Sequence, residues 1–108
     1  MMVSEIVREI AELTAENKKG VEALYEAESN LAGLENALDK AEATAYLGGT
    51  GSVADRQAAA KLSCAKIRFD RDIAKAQVNR VRTKLRVIES ALMAQATMSK
   101  LLQAEMKL

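Results

Sequence analysis

Apolar residues in the first part of the chain recur at alternating intervals of three and four positions. One heptad register covers this part, and its a and d positions are apolar except at Asn17 and Gly20. Such a seam is typical of a long amphipathic helix of the coiled-coil type. We predict a helix over residues 3–47 with these seam positions: Val3, Ile6, Ile10, Leu13, Asn17, Gly20, Leu24, Ala27, Leu31, Leu34, Leu38, Ala41 and Ala45.

Asn17 and Gly20 lie within one turn of each other and depart from the apolar rule of the seam. A buried asparagine at such a position fixes the register and the oligomeric state at a cost in stability. Glycine weakens a helix by about 1 kcal/mol relative to alanine. Two interpretations follow: a continuous helix that accepts both residues, or a kink or break between them.

The helical pattern stops at a glycine-rich segment, residues 48–52, which predicts a tight reversal of the chain. Gly48 is suited to the position just after a helix C-terminus. Ser52 with Asp55 three positions later forms a capping-box pattern, which marks the start of the next helix.

A second helix is predicted over about residues 53–107. Its apolar positions depart from strict sevens toward the 3.6-residue spacing of a straight helix. We expect it to be less supercoiled than the first. These positions are Leu62, Ala65, Phe69, Ile73, Ala76, Val81, Leu85, Ile88, Leu92, Leu102 and Met106.

The predicted fold is all-α, a single domain of residues 1–108 in which two long helices form an antiparallel hairpin. A connection this short allows only antiparallel neighbours. Because position 3 would pair near position 100, the residues after it would project without an intramolecular partner. We expect a four-helix-bundle dimer or a higher oligomer, or a protein partner, to cover an interface formed by Val3, Ile6, Ile10, Leu13, Leu92, Met98, Leu101, Leu102 and Met106, with Leu108 beyond it.

Composition argues against catalysis. The 108 residues include no histidine and one cysteine, so the commonest general bases and metal ligands are missing. We predict no catalytic residue, no cofactor, no metal site and no small-molecule substrate, and we interpret Cys64 as a packing residue. No apolar run is long enough for a membrane span and the first residues carry acids, so we expect a cytoplasmic protein without a membrane partner.

The charges divide between the two predicted helices. Residues 1–45 hold ten acids and four bases, whereas residues 53–108 hold five acids and twelve bases. Acids recur every seven residues in one helix and bases in the other, which predicts pairing of Glu42 with Lys61, Glu35 with Arg68 and Glu28 with Lys75. One difficulty is that the acids fall at e positions and the bases at g positions, although an antiparallel pair brings e against e.

Two other functions can be proposed from the charges. The bases of the second helix could contact phosphates of DNA, although aromatic side chains that could stack on bases are not interleaved among them. The acidic first helix could instead imitate nucleic acid and inhibit a host enzyme. The candidate nucleic-acid contacts are Lys61, Arg68, Lys75, Arg80, Arg82, Lys84 and Arg86.

The segment from Ala45 to Leu62 and the last eighteen residues resemble a group of small phage-encoded helical proteins. In that group an acidic helix precedes a Gly-Thr-x-x-Val-x-x-Arg turn, matched here by Thr50, Val53 and Arg56, with Gly51 at the first variable position. The resemblance implies an accessory factor encoded near recombination or replication genes and located in the bacterial host cytoplasm. We therefore predict a non-enzymatic, self-associating interaction protein that acts in DNA recombination or replication through protein partners.

Overall fold

The computed structural model describes residues 2–107, and these are α-helical except for residue 2, the connection 48–52 and Cys64. The helices are α1 (Val3–Leu47), α2 (Val53–Ser63) and α3 (Ala65–Lys107). No strand occurs in this part of the chain, so the predicted all-α class is confirmed. α1 occupies the same residues as the first predicted helix.

α1 continues without interruption through Asn17 and Gly20, so the kink or break considered there is absent from this helix. Every seam position of α1 from Ile6 to Ala45 is buried or half-buried, as the heptad register requires. Only the first seam residue, Val3, is exposed.

The connection between α1 and α2 is held by local hydrogen bonds. The amide of Gly48 donates to the carbonyl of Thr44 (3.0 Å) as α1 ends. Gly51 has a φ of +93°, which side chains other than glycine rarely adopt. The Ser52 hydroxyl accepts from the amide of Asp55, and the Asp55 carboxylate accepts from the amide of Ser52. The capping box predicted from the sequence therefore begins α2.

The second helix predicted from the sequence is two helices, because the chain leaves helical geometry at Cys64 (φ −100°, ψ 10°). Side chains satisfy backbone carbonyls here: the Ser63 hydroxyl donates to Ala60 (3.2 Å), and the Arg68 guanidinium donates to Lys61 (3.2 Å). In an uninterrupted helix the Lys61 carbonyl would accept from the amide of residue 65. The Arg68 guanidinium takes the place of that amide, whereas the Ala60 carbonyl also accepts from the amide of Cys64 (3.1 Å). Polar groups of this kind do not contribute to an apolar periodicity.

The chain divides into two compact units. Unit 1 comprises Met1–Leu24 and Arg80–Leu108, and unit 2 comprises Tyr25–Asn79. In unit 1 the Gln95 side-chain amide donates to the Glu9 carboxylate, and Gly20 lies against Leu85. As position numbers rise in α1 they fall in α3, so the two segments of this unit run antiparallel. Residues at seam positions of α3 here are Val81, Leu85, Ile88, Leu92, Gln95, Ser99 and Leu102, all buried or half-buried.

In unit 2 the structure corrects the predicted apolar face of the second helix. Five residues of the predicted apolar series of the second helix are exposed, namely Leu62, Ala65, Phe69, Ile73 and Ala76. The residues turned inward include alanine, cysteine and arginine together with two larger aliphatic residues, so they do not stand out as an apolar series. They are Ala60, Cys64, Ile67, Arg71, Ala74 and Val78.

The seam of α3 therefore keeps the alternating three-and-four spacing from Cys64 to Leu102, and the predicted departure toward 3.6 residues is wrong. The predicted departure arose because the apolar series combined exposed residues near the start of the helix with buried residues farther along. A strict heptad spacing is the mark of a coiled-coil seam.

The projecting C-terminal segment is shorter than predicted. The contact of Gly20 with Leu85 places position 3 opposite about position 102 rather than 100. Accordingly Leu102 is half-buried in unit 1, whereas Leu101 and Met106 are exposed. Leu108 lies outside the described residues.

Candidate interaction surfaces

A row of apolar side chains lies on the face of α2 and α3 that points away from the unit 2 seam. Leu62 is 80% exposed, Phe69 64% and Ile73 56%. Phe69 is the only phenylalanine of the chain. The largest purely apolar side chain of this protein therefore faces outward. We call this face the outer stripe. It comprises Ala59, Leu62, Lys66, Phe69, Ile73 and Ala76, which occupy the c and f positions when the seam is a and d.

Charged residues lie on and beside the outer stripe. Lys66 is the one charged member, and its ammonium group is 3.3 Å from the Asp70 carboxylate. On the other flank the Asp72 carboxylate accepts from Nε of Arg71 (2.8 Å), whose side chain is turned inward. The Lys66–Asp70 pair is exposed to solvent, and exposed ion pairs contribute little to folding.

Arg68 connects the two sides of unit 2. Its guanidinium donates to the Glu42 carboxylate (2.7 Å) and to the backbone carbonyl of Lys61. The heptad spacing predicted pairs of Glu42 with Lys61 and of Glu35 with Arg68, whereas in the structure Arg68 pairs with Glu42. A long guanidinium side chain can reach beyond the residue directly opposite, which simple position counting does not include.

The corrected seam also changes the heptad positions of the bases that were expected to pair with acids of α1. If Leu85 is an a position opposite the d position Gly20, then Ile67 and Ala74 are d positions. Arg68 and Lys75 follow them directly and are e positions. Acids and bases of unit 2 therefore both occupy e, the arrangement that an antiparallel pair brings together.

The candidate nucleic-acid contacts differ in their surroundings within each unit. Arg68 is engaged by Glu42, whereas Lys61, Lys75, Arg80, Lys84 and Arg86 are exposed. In unit 1, residues two apart are about 200° apart around a helix, so Arg80 and Lys84 lie on the opposite side from Arg82 and Arg86. Arg82 also has an interaction of its own.

The predicted oligomer interface divides into covered and exposed residues. Ile6 is buried, and Ile10, Leu13, Leu92 and Leu102 are half-buried within unit 1. The exposed ones are Val3, Met98, Leu101 and Met106. Packing inside the chain thus already uses the larger part of this set.

A groove of about 490 Å³ is open to solvent in unit 2 and lies between α1 and α2. Asp39, Glu42 and Tyr46 line its α1 side, and Gln57 and Lys61 line the other. Residues 2–107 contain no group of three or more His, Cys, Asp or Glu side chains placed to hold a metal ion.

No helix among the described residues is long and apolar enough to cross a bilayer. Comparisons with protein-family models, with curated proteins and with solved structures find no match to this chain. The resemblance to phage helical proteins therefore stays a prediction.

Proposed function

We propose that this chain is a non-enzymatic helical protein that works by self-association. In this proposal α1 and the α2–α3 pair are the two arms of an antiparallel hairpin, and the assembly is a dimer. The observation that carries the proposal is the outer stripe, because Leu62 near the end of α2 and Phe69 and Ile73 on α3 are all exposed at c and f positions.

Energetics support this proposal. Full burial of a side chain such as Leu, Ile or Phe contributes about 1.5–3 kcal/mol. The outer face of an amphipathic helix is ordinarily polar, and adjacent exposed apolar side chains mark interaction sites. Aromatic residues are also enriched in the cores of protein interfaces.

DNA binding is a second candidate, favoured by the exposure of Lys75, Arg80, Lys84 and Arg86. The separation of these bases around α3 weakens it. Inhibition of a host enzyme by the acidic helix has less support, because Arg68 engages Glu42. A role in phage recombination or replication rests on the sequence resemblance alone and stays a prediction.

Sedimentation equilibrium tests self-association. We expect a mass of twice the 11.7 kDa of one chain at tens of micromolar, declining toward one chain on dilution. A single-chain mass over the whole concentration range would contradict the proposed function.

A further inference from the structure

We propose that the outer stripe binds the same stripe of a second copy, antiparallel, about a twofold axis that passes between positions 67 and 68. This inference rests on the proposed function and specifies its surface and register. A twofold interface uses one patch on both copies, so the patch must be complementary to itself. The outer stripe meets this requirement.

The alternation of c and f positions restricts the register. In an antiparallel helix pair, each seam residue of one type faces one of the other type, so the sum of two facing position numbers is constant. Allowed registers then differ by seven. In the proposed register Leu62 faces Ile73 of the second copy, Lys66 faces Phe69, and Ala59 faces Ala76.

The residues that face each other in this register are chemically complementary. The single charged residue of the stripe, Lys66, meets its single aromatic ring, Phe69. A lysine over an aromatic face gains a cation–π interaction, and its methylene stem covers apolar surface. Asp70 adjoins Phe69 and carries the opposite charge, which the Lys66 ammonium already approaches within its own chain. The pairs of alanines at both ends let the helices approach closely.

Neighbouring registers are less complementary. Shifting the sum by seven in one direction places Phe69 opposite Ile73 but brings Asp70 and Asp72 each near the same residue of the second copy. Shifting it in the other direction places Ile73 opposite Asp55 and Leu62 opposite Lys66. Like charges directly opposite each other and an isoleucine against a carboxylate both disfavour association. Only the proposed register pairs Leu62 with Ile73.

The first experiment compares two substitutions that each place a carboxylate on an exposed aromatic position of unit 2. Phe69→Glu lies within the outer stripe, and the control Tyr25→Glu lies on α1. We expect Phe69→Glu to weaken dimerisation about 30-fold or more, as for a central anchor, while Tyr25→Glu leaves it unchanged. Circular dichroism should show equal helicity in both variants, since both positions are exposed.

The second experiment tests the register by disulfide formation in a Cys64→Ala background. Leu62→Cys and Ile73→Cys chains are oxidised separately and as a mixture. We expect the mixture to give a crosslinked heterodimer. Either chain alone should give little crosslinking, because two copies of one position would be about 16 Å apart along the helices, beyond the reach of a disulfide.

The outcomes separate this inference from the proposed function. A wild-type dimer that Phe69→Glu leaves intact would overturn the stripe as the interface but would retain self-association. Crosslinking of Leu62→Cys with itself, and not with Ile73→Cys, would overturn the register. A wild-type chain that is monomeric throughout would overturn both proposals.

Discussion

Gly20 lies so close to Leu85 that a Cβ atom at position 20 would come within 2.5 Å of Leu85 Cδ2. Leu85 is a buried side chain of unit 1, so it has little room to move aside. The glycine that interrupts the apolar seam of α1 is thus the residue that admits a leucine from α3. Glycine is unfavourable within a helix, but only a residue without a side chain allows this close packing.

We predict that Gly20→Ala destabilises the protein by about 1 kcal/mol, since the overpacking penalty exceeds the gain in helix propensity. In a Leu85→Ala background the same change should stabilise by up to about 1 kcal/mol, because the clash is gone. Urea unfolding at fixed protein concentration measures both values. A stabilising effect of Gly20→Ala in the wild-type background would show that the contact is not tight.

Gly33 supplies the matched control for Gly20. It lies in the same helix, and a Cβ there meets nothing within 4 Å. Gly33→Ala should therefore stabilise by about 1 kcal/mol, the ordinary difference in helix propensity. If Gly33→Ala were as destabilising as Gly20→Ala, the cause would be general to α1 and not the Leu85 contact.

Asn17 occupies a seam position, and its side-chain oxygen is buried without a hydrogen bond from any described residue. We predict that Asn17→Leu raises the free energy of unfolding by about 1–3 kcal/mol, because it removes this desolvated polar group and adds apolar packing. The exposed Asn36 is the control, and Asn36→Leu should change stability by less than about 0.5 kcal/mol. Destabilisation by Asn17→Leu would mean that the asparagine is satisfied in solution.

Arg68 should contribute more to stability than its partner Glu42, because it also donates to the Lys61 carbonyl beside the Cys64 interruption. The pair is about one-third exposed, with side chains 30% and 40% accessible, so solvent screening limits its strength. We expect losses of about 1 kcal/mol for Arg68→Ala and about 0.5 kcal/mol for Glu42→Ala.

Lys75 is the control for Arg68, since it lies one heptad later on the same flank and is exposed. Lys75→Ala should change stability by no more than about 0.5 kcal/mol. Raising the salt concentration should reduce the coupling of Arg68 with Glu42. Equal losses for Arg68→Ala and Lys75→Ala would argue against the bridging role of Arg68.

DNA binding should be weak and confined to low salt. Because the bases of α3 are separated around the helix, few phosphates can be contacted together, and affinity falls steeply as salt rises. We expect fluorescence anisotropy to detect no complex at about 0.15 M salt, near physiological ionic strength. Binding that persists there, with a salt slope reduced by Arg80→Gln and Lys84→Gln, would support the second candidate function instead.

The sequence predicted α1 well because large aliphatic residues fill its seam at regular intervals. It failed for the start of the second predicted helix because the inward residues there include Cys64, Arg71 and Ala74, while Leu62, Phe69 and Ile73 face outward. Extending the spacing of Leu85, Ile88 and Leu92 backward by sevens would have reached the correct seam. The heptad spacing of the seam is thus present in the sequence, but it is not visible when residues are ranked by hydrophobicity alone.

Other features needed the three-dimensional contacts. The interruption at Cys64 involves the Ser63 hydroxyl and the Arg68 guanidinium, whose partners are backbone carbonyls and not apolar residues. The role of Gly20 depends on which α3 residue lies opposite it. Counting positions from the turn does not identify that residue accurately enough. The outer stripe, the candidate site, is defined by the seam that the structure shows and so could not be predicted from the apolar series.

The fluorescence of a tryptophan at position 69 tests the central claim most directly. The chain contains no tryptophan, so Phe69→Trp reports on that position alone, and a tryptophan there retains an aromatic face for Lys66. We predict blue-shifted emission at tens of micromolar that moves to the solvent-exposed wavelength on dilution, in step with loss of the dimer. Solvent-exposed emission at every concentration, with or without a dimer, would contradict burial of the outer stripe between two copies.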